Sequence, residues 1–224
     1  MKLMTKKERY EKAIAWFQKN MEMAETELEF GSVFQLLVAV ILSAQCTDKR
    51  VNMVTPALFA RFPDSKSMSK GSVEEILNLV HSVSYPNSKA NHLHDMAVML
   101  ENEFGGEVPS DMDQLQRLPG VGRKTANVMM AVAFNQAAMP VDTHVFRVSN
   151  RIGFTNNSKT PLQTERELVR NISENLQSKA HHWILLHGRY VCTARNPKCA
   201  QCGISEICKH YQSNKKKHKE TDNC

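Results

Sequence analysis

The chain has 224 residues, 42% of them hydrophobic, a formal net charge of +6 and six cysteines. That length buries a core of one large or two small domains without covalent staples. Six cysteines are too few for a secreted disulfide scaffold. The basic balance suits nucleic acid or an anionic membrane surface and by charge alone selects neither. The start, Met1-Lys2-Leu3-Met4-Thr5-Lys6-Lys7, runs into a charged amphipathic stretch where a signal peptide would need an apolar one, so a cytoplasmic protein is expected.

Residues 6–23 place Tyr10, Ala13, Ile14 and Phe17 at helical spacing among Lys and Glu, which predicts an amphipathic first helix. After a polar connection through Glu29, the run Val33 to Cys46 is apolar nearly all round and predicts a helix buried at the centre of a bundle. It falls short of the ~20 apolar residues that span a bilayer, and its length favours helix over buried strand. Helices are predicted at 48–61, 72–82, 87–104 and 111–117, punctuated by Phe62-Pro63-Asp64, Tyr85-Pro86-Asn87, Gly105-Gly106 and Val108-Pro109-Ser110. Pro119, Gly120 and Gly122 then break one helix just before the apolar run Ala126–Phe134 starts another, a helix, tight hairpin, helix signature. Further helices are predicted at 143–152, 162–175 and 179–191, followed by a cysteine-rich segment and a basic tail, 212–224, expected to be disordered. No segment alternates with period two, so the fold class is all-α, and no solenoid period recurs.

Two features carry chemistry. Cys192, Cys199, Cys202 and Cys208 form Cys-x6-Cys-x2-Cys-x5-Cys, four soft ligands in one short segment. Such a set holds tetrahedral zinc or a cubane iron–sulfur cluster, and the spacing leaves both open. The loop between the first two presents Arg195 and Lys198, cations able to grip a phosphodiester backbone or simply to face solvent. The second feature is the hairpin. Without side chains at Gly120 and Gly122, the turn and the first N–H groups of the next helix are able to close on a phosphate oxygen. Lys124 sits in the first turn of that helix, where the positive dipole end disfavours a second positive charge and so favours the neutral, nucleophilic amine, although position alone favours a lysine that only contacts phosphate or solvent. Asp142, eighteen residues on, heads the next helix. Capping free N–H groups is its ordinary role, compatible with stabilising positive charge at an anomeric carbon.

With these features assembled, the chain resembles the endonuclease III family of helix-hairpin-helix DNA glycosylases, over about Thr26 to Cys208. The resemblance rests on Leu118-Pro119-Gly120-Val121-Gly122-Arg123-Lys124-Thr125-Ala126-Asn127, on Val141-Asp142-Thr143-His144-Val145-Phe146-Arg147-Val148, on His181 to Tyr190 and on the cysteine spacing. It implies a [4Fe–4S] cluster on Cys192, Cys199, Cys202 and Cys208. It implies a six-helix barrel at 27–136, with residues 1–26 plus 137–211 forming a cluster lobe and DNA bound between the two. It further implies a monomeric, nucleoid-associated enzyme acting on duplex DNA with an oxidised or ring-saturated pyrimidine flipped out of the stack, or on an abasic site. Lys124 would attack the deoxyribose C1′, Asp142 would assist, and β-elimination would nick the strand. The backbone at Gly120, Val121 and Gly122 would hold phosphate, and Gln45 would fill the gap left by the base. Two positions depart from the family pattern. Tyr85-Pro86 stands where an apolar wedge and a tyrosine are usual, and Asn196 replaces a frequent basic residue in the cluster loop. Two rival readings, an adenine-mismatch DNA glycosylase and a non-catalytic helix-hairpin-helix DNA-binding protein, share parts of this pattern. The first typically lacks a lysine at position 124 and carries an extra C-terminal domain.

Overall fold

A computed structural model describes residues 4–221, with side chains through Lys215. Twelve α-helices and no strand occur among the described residues: α1 (Lys6–Asn20), α2 (Val33–Leu42), α3 (Asp48–Arg61), α4 (Ser65–Lys70), α5 (Val73–Val80), α6 (Pro86–Glu103), α7 (Met112–Arg117), α8 (Arg123–Val128), α9 (Thr143–Ile152), α10 (Pro161–Asn171), α11 (Glu174–Tyr190) and α12 (Lys209–Thr221). The all-α expectation holds. No helix among the described residues is long and apolar enough to cross a membrane.

The helix starts follow from side-chain chemistry. Thr5, Ser32, Thr47, Asp64, Ser72, Asp111, Asp142 and Thr160 each accept a hydrogen bond from a backbone N–H of the first turn. Each satisfies a donor that the helix itself leaves orphaned. At Thr5 and Ser72 a glutamate three residues on answers with a bond to the cap's own N–H, closing a capping box.

The chain divides into two compact units, Thr26–Gln136 and the pair of segments Met1–Glu25 and Ala137–Cys224. In the first, α2 lies at the centre: Leu36, Leu37, Val38, Ala39 and Leu42 have no exposed surface and meet Leu58, Ile76, Leu93, Met96 and Met129. Burying each leucine contributes roughly 1.5–3 kcal/mol, which makes α2 the element the unit assembles on. In the second unit Phe17 of α1 stacks on Trp183 of α11 at 6.2 Å, and Tyr10 stacks on Phe154 at 4.3 Å. The Trp183 indole N–H donates to the Met21 carbonyl at 2.8 Å, which ties down the end of α1.

Three differences from the sequence reading have physical causes. The buried helix ends at Leu42, four residues before Cys46, because Ser43 caps it and Gln45 turns left-handed. The break predicted between 175 and 179 falls instead at Ile172-Ser173. There the buried Gln177 amide donates to the Ile172 and Val169 carbonyls and so terminates α10 from within α11. Beyond the cysteines, where no helix was predicted, α12 runs from Lys209 to Thr221. Its first turn is anchored by Gln212 N–H donating to Cys208 C=O and by the Lys209 side chain packed on Gly153. Residues 222–224 lie outside the described residues.

Candidate functional site

The hairpin joins α7 to α8 within the Thr26–Gln136 unit. Val121 is buried, and its N–H closes the turn on the Leu118 carbonyl at 3.0 Å. Of the three residues predicted to hold phosphate, Val121 is therefore the anchor of the turn. The N–H groups of Gly120 and Gly122 make no backbone hydrogen bond among the described residues. Gly120 has φ +80° and packs so tightly that a Cβ would lie 3.0 Å from His92 Cβ and 3.3 Å from Ile41 Cγ2. Gly122 has nothing within 4 Å of an added Cβ, so the protein's own packing does not demand glycine there. Lys124 is exposed, in the first turn of α8, and α8 passes directly into a π-helical turn, Met129–Ala133.

Asp142 belongs to the other unit. It is the N-cap of α9, and its Oδ1 accepts the Val145 N–H at 2.7 Å with the side chain half-buried. The strand of chain leading to it is fixed by the buried His181 of α11, whose Nδ1 lies 2.8 Å from the Pro140 carbonyl oxygen. The cap is thus real and leaves the second carboxylate oxygen for other partners.

Gln45, Tyr85 and Gly120 line one open pocket together with Ile41, Lys89 and His92. Gln45 and Tyr85 are exposed and both left-handed, with φ of 53° and 56°, a costly conformation for non-glycine residues. Their turns are joined: Ser84 Oγ donates to the Gln45 carbonyl at 2.8 Å. Lys89, 5% exposed, donates from Nζ to the Leu42 and Ala44 carbonyls at 2.7 Å each. Burial pushes its pKa down, partly offset by the nearby Cys46 sulfur. The sequence reading passed over Lys89 because a lysine inside a helix ordinarily reads as solvent-facing.

The four cysteines form no disulfide and ring a pocket that Arg151, His187 and Tyr211 also line. Tetrahedral zinc would draw four sulfurs to roughly 3.8 Å from one another around a single point. The mostly apolar hollow among the four cysteines is also compatible with a polynuclear cluster. Burial raises the thiol pKa of Cys202 and Cys208, with the neighbouring sulfurs adding to it; cationic iron reverses that cost.

The surrounding frame is built from arginines that spacing did not reveal. Arg151 donates to the Thr193 and Ala194 carbonyls at 2.6 and 2.7 Å, and Arg147 to those of Gly188 and Cys192 at 2.8 and 3.1 Å. Arg9 of α1 holds the Ile207 carbonyl at 2.9 Å. His187 is buried with Nε2 3.6 Å from Cys202 Sγ, and burial lowers its pKa to about 4. Gly203 sits where any Cβ would strike the Trp16 ring at 2.4 Å. Arg195 and Lys198 stay exposed on the loop that Arg151 pins.

Residues 38–174 match the HhH-GPD superfamily of base excision DNA repair proteins, and residues 192–208 match the iron–sulfur binding domain of endonuclease III. The endonuclease III of Synechocystis sp. is 42% identical over 213 residues, 95% of this chain and 97% of the relative. The chain belongs to the endonuclease III family. That of Escherichia coli K12 is 41% identical over 84% of this chain and 88% of its own length. A trapped endonuclease III–DNA covalent intermediate superposes with a TM-score of 0.90 at 38% identity, covering 94% of this chain and 99% of that one. A thermostable thymine-DNA glycosylase, 22% identical, shares the fold with a TM-score of 0.82. The protein is accordingly a DNA glycosylase and AP lyase of base excision repair, and its four-cysteine segment holds a [4Fe–4S] cluster. This outranks the adenine-mismatch and non-catalytic readings.

Proposed function

We propose that the enzyme, a cytoplasmic monomer working on the nucleoid, excises oxidised or ring-saturated pyrimidines from duplex DNA, with Lys124 as nucleophile and Asp142 as its electrostatic partner. The observation that carries this reading is the placement of Lys124: an exposed amine in the first turn of α8, directly after a glycine hairpin open at Gly122. The neutral amine attacks C1′ and the base departs with the glycosidic electron pair. The attached amine then gives up a proton and the C1′–O4′ bond opens, its electron pair going to O4′, which takes up a proton. The protonated Schiff base so formed acidifies the C2′ proton, and its loss expels the 3′ phosphate. Asp142 favours the cationic sugar or takes the lysine proton, with its rotamer held by the Val145 N–H.

Phosphate contact falls to the N–H groups of Gly120 and Gly122, supported by the positive end of α8. Gln45 and Tyr85 enter the space the flipped nucleotide vacates, which offsets an extrusion cost of a few kcal/mol. Arg195 and Lys198 take further phosphates. The [4Fe–4S] cluster supplies no bond-breaking chemistry in this scheme; when bound it fixes the loop that carries those two cations.

The test is borohydride trapping on duplexes with a single thymine glycol or abasic site. Wild type is expected to form a covalent adduct, whereas Lys124→Gln binds DNA normally and neither traps, releases base nor nicks. Wild-type nicking by Lys124→Gln would falsify the assignment. A panel of lesions and opposite bases then defines the substrate range.

A further inference from the structure

Lys89 is a buried cation without a carboxylate. Its ammonium is surrounded by carbonyl oxygens, and the apolar wall of the Thr26–Gln136 core lies behind it: Leu42, Ala90 and Leu93 have no exposed surface. Burying a lysine costs stability relative to an apolar residue of similar length, so the arrangement calls for a return of another kind.

That return is geometric. Leu42 is the last residue of α2, so its carbonyl and that of Ala44 are among the acceptors a helix end leaves unpaired. Lys89 Nζ reaches both at 2.7 Å and thereby shapes the turn Ser43 to Cys46, which holds Gln45 at φ 53°. The backbone of the same residue serves the other turn: Lys89 N–H donates to the Tyr85 carbonyl at 3.1 Å in the first turn of α6. Tyr85 itself is left-handed at φ 56° and is followed by Pro86 at the first helical position. Ser84 Oγ, donating to the Gln45 carbonyl, completes a closed ring of bonds around the two strained residues.

We propose that Lys89 is a positioning residue that locks the Gln45 and Tyr85 turns into one preformed wedge, so that base extrusion is not charged with the entropy of ordering them. The inference rests on the reading of Gln45 and Tyr85 as the groups that enter the duplex. Preorganisation matters most where the nucleotide must be pulled from a paired, stacked helix and least where no base has to leave it.

The experiment compares single-turnover base release from a paired thymine glycol duplex with cleavage of a preformed abasic site, for wild type, Lys89→Met, Ser84→Ala, Gln45→Ala and Tyr85→Ala. The fluorescence of a 2-aminopurine opposite the lesion reports wedge entry, and thermal unfolding reports stability. Lys89→Met should keep the wild-type unfolding midpoint within a few degrees, slow base release about tenfold or more, delay the 2-aminopurine signal, and change abasic-site cleavage by less than about threefold. Moving the lesion into an unpaired bulge should restore most of the rate. Equal slowing of both reactions, or of neither, overturns the proposal. If Lys89→Met does not fold, Ser84→Ala decides: the same selective loss supports the lock and wild-type base release refutes it. Loss of base release in Gln45→Ala and Tyr85→Ala without selective loss in Lys89→Met rejects the lock alone. Wild-type rates in both alanine variants reject the wedge reading itself.

Discussion

Asp142 caps α9, and in the proposed reaction the same carboxylate has a second task. Its Oδ1 caps α9 through Val145, a service that asparagine performs equally well, whereas alanine forfeits about 1 kcal/mol. Asp142→Asn should therefore unfold like wild type while base release falls by roughly two orders of magnitude, the scale on which a charge-stabilising group is felt. Asp142→Ala should show the same kinetic loss and also a lower unfolding midpoint. Wild-type turnover by Asp142→Asn would leave the residue as a cap and nothing more. The cap was legible in the sequence from an aspartate at a helix head, and the chemical role proposed for it comes from the adjoining family motif. His181, which holds the Pro140 carbonyl two residues earlier, was not legible as a support, since a histidine on a helix gives no sign of which distant carbonyl it meets.

At the scale of elements, helix starts were the most readable feature and helix ends the least. Ser, Thr and Asp caps sit beside the N–H groups they serve, so the evidence is local. The end of α10 depends on Gln177 arriving from α11, and the end of α2 on Lys89 arriving from α6. The short helix α4 went unread between Asp64 and Gly71, because Ser65-Lys66-Ser67-Met68-Ser69-Lys70 offers a single strongly apolar residue to set a period. In the cluster loop, Thr193 and Ala194 are held by Arg151 while Arg195 and Lys198 remain exposed. Each phosphate contact contributes about −0.9 to the slope of log K against log salt. Arg195→Ala combined with Lys198→Ala should thus flatten that slope by about one to two, with the cluster's visible absorbance unchanged. An unaltered slope would mean that the loop does not touch the backbone.

For the whole molecule, each unit has an apolar core, and the cysteine segment depends on a different source of stability. Thr26–Gln136 has its own apolar core around α2, whereas Cys192–Cys208 contains only two 3₁₀ turns and one well-buried apolar side chain, Ile204. Such a segment takes its order from the ligands it gives the metal and from Arg9, Arg147 and Arg151. Cys202→Ser should accordingly lose the cluster's visible absorbance and admit proteolytic cleavage within 192–208, while the fragment bearing α2–α8 survives. Survival of the 192–208 segment without iron would show that the arginine frame suffices.

The sequence by itself determined the helical class, the hairpin, the cap at Asp142 and the four-thiolate set, because each is written in neighbouring residues and short-range spacing. Spacing alone left zinc and iron–sulfur chemistry equal, and the match of residues 192–208 to the iron–sulfur binding domain of endonuclease III separated them. The sequence marked Gln45 and Tyr85 as separate features forty residues apart. Only the tertiary structure made them one object, through the Ser84 and Lys89 bonds, because a hydrogen bond between distant segments depends on how the core packs and has no local signature in the chain.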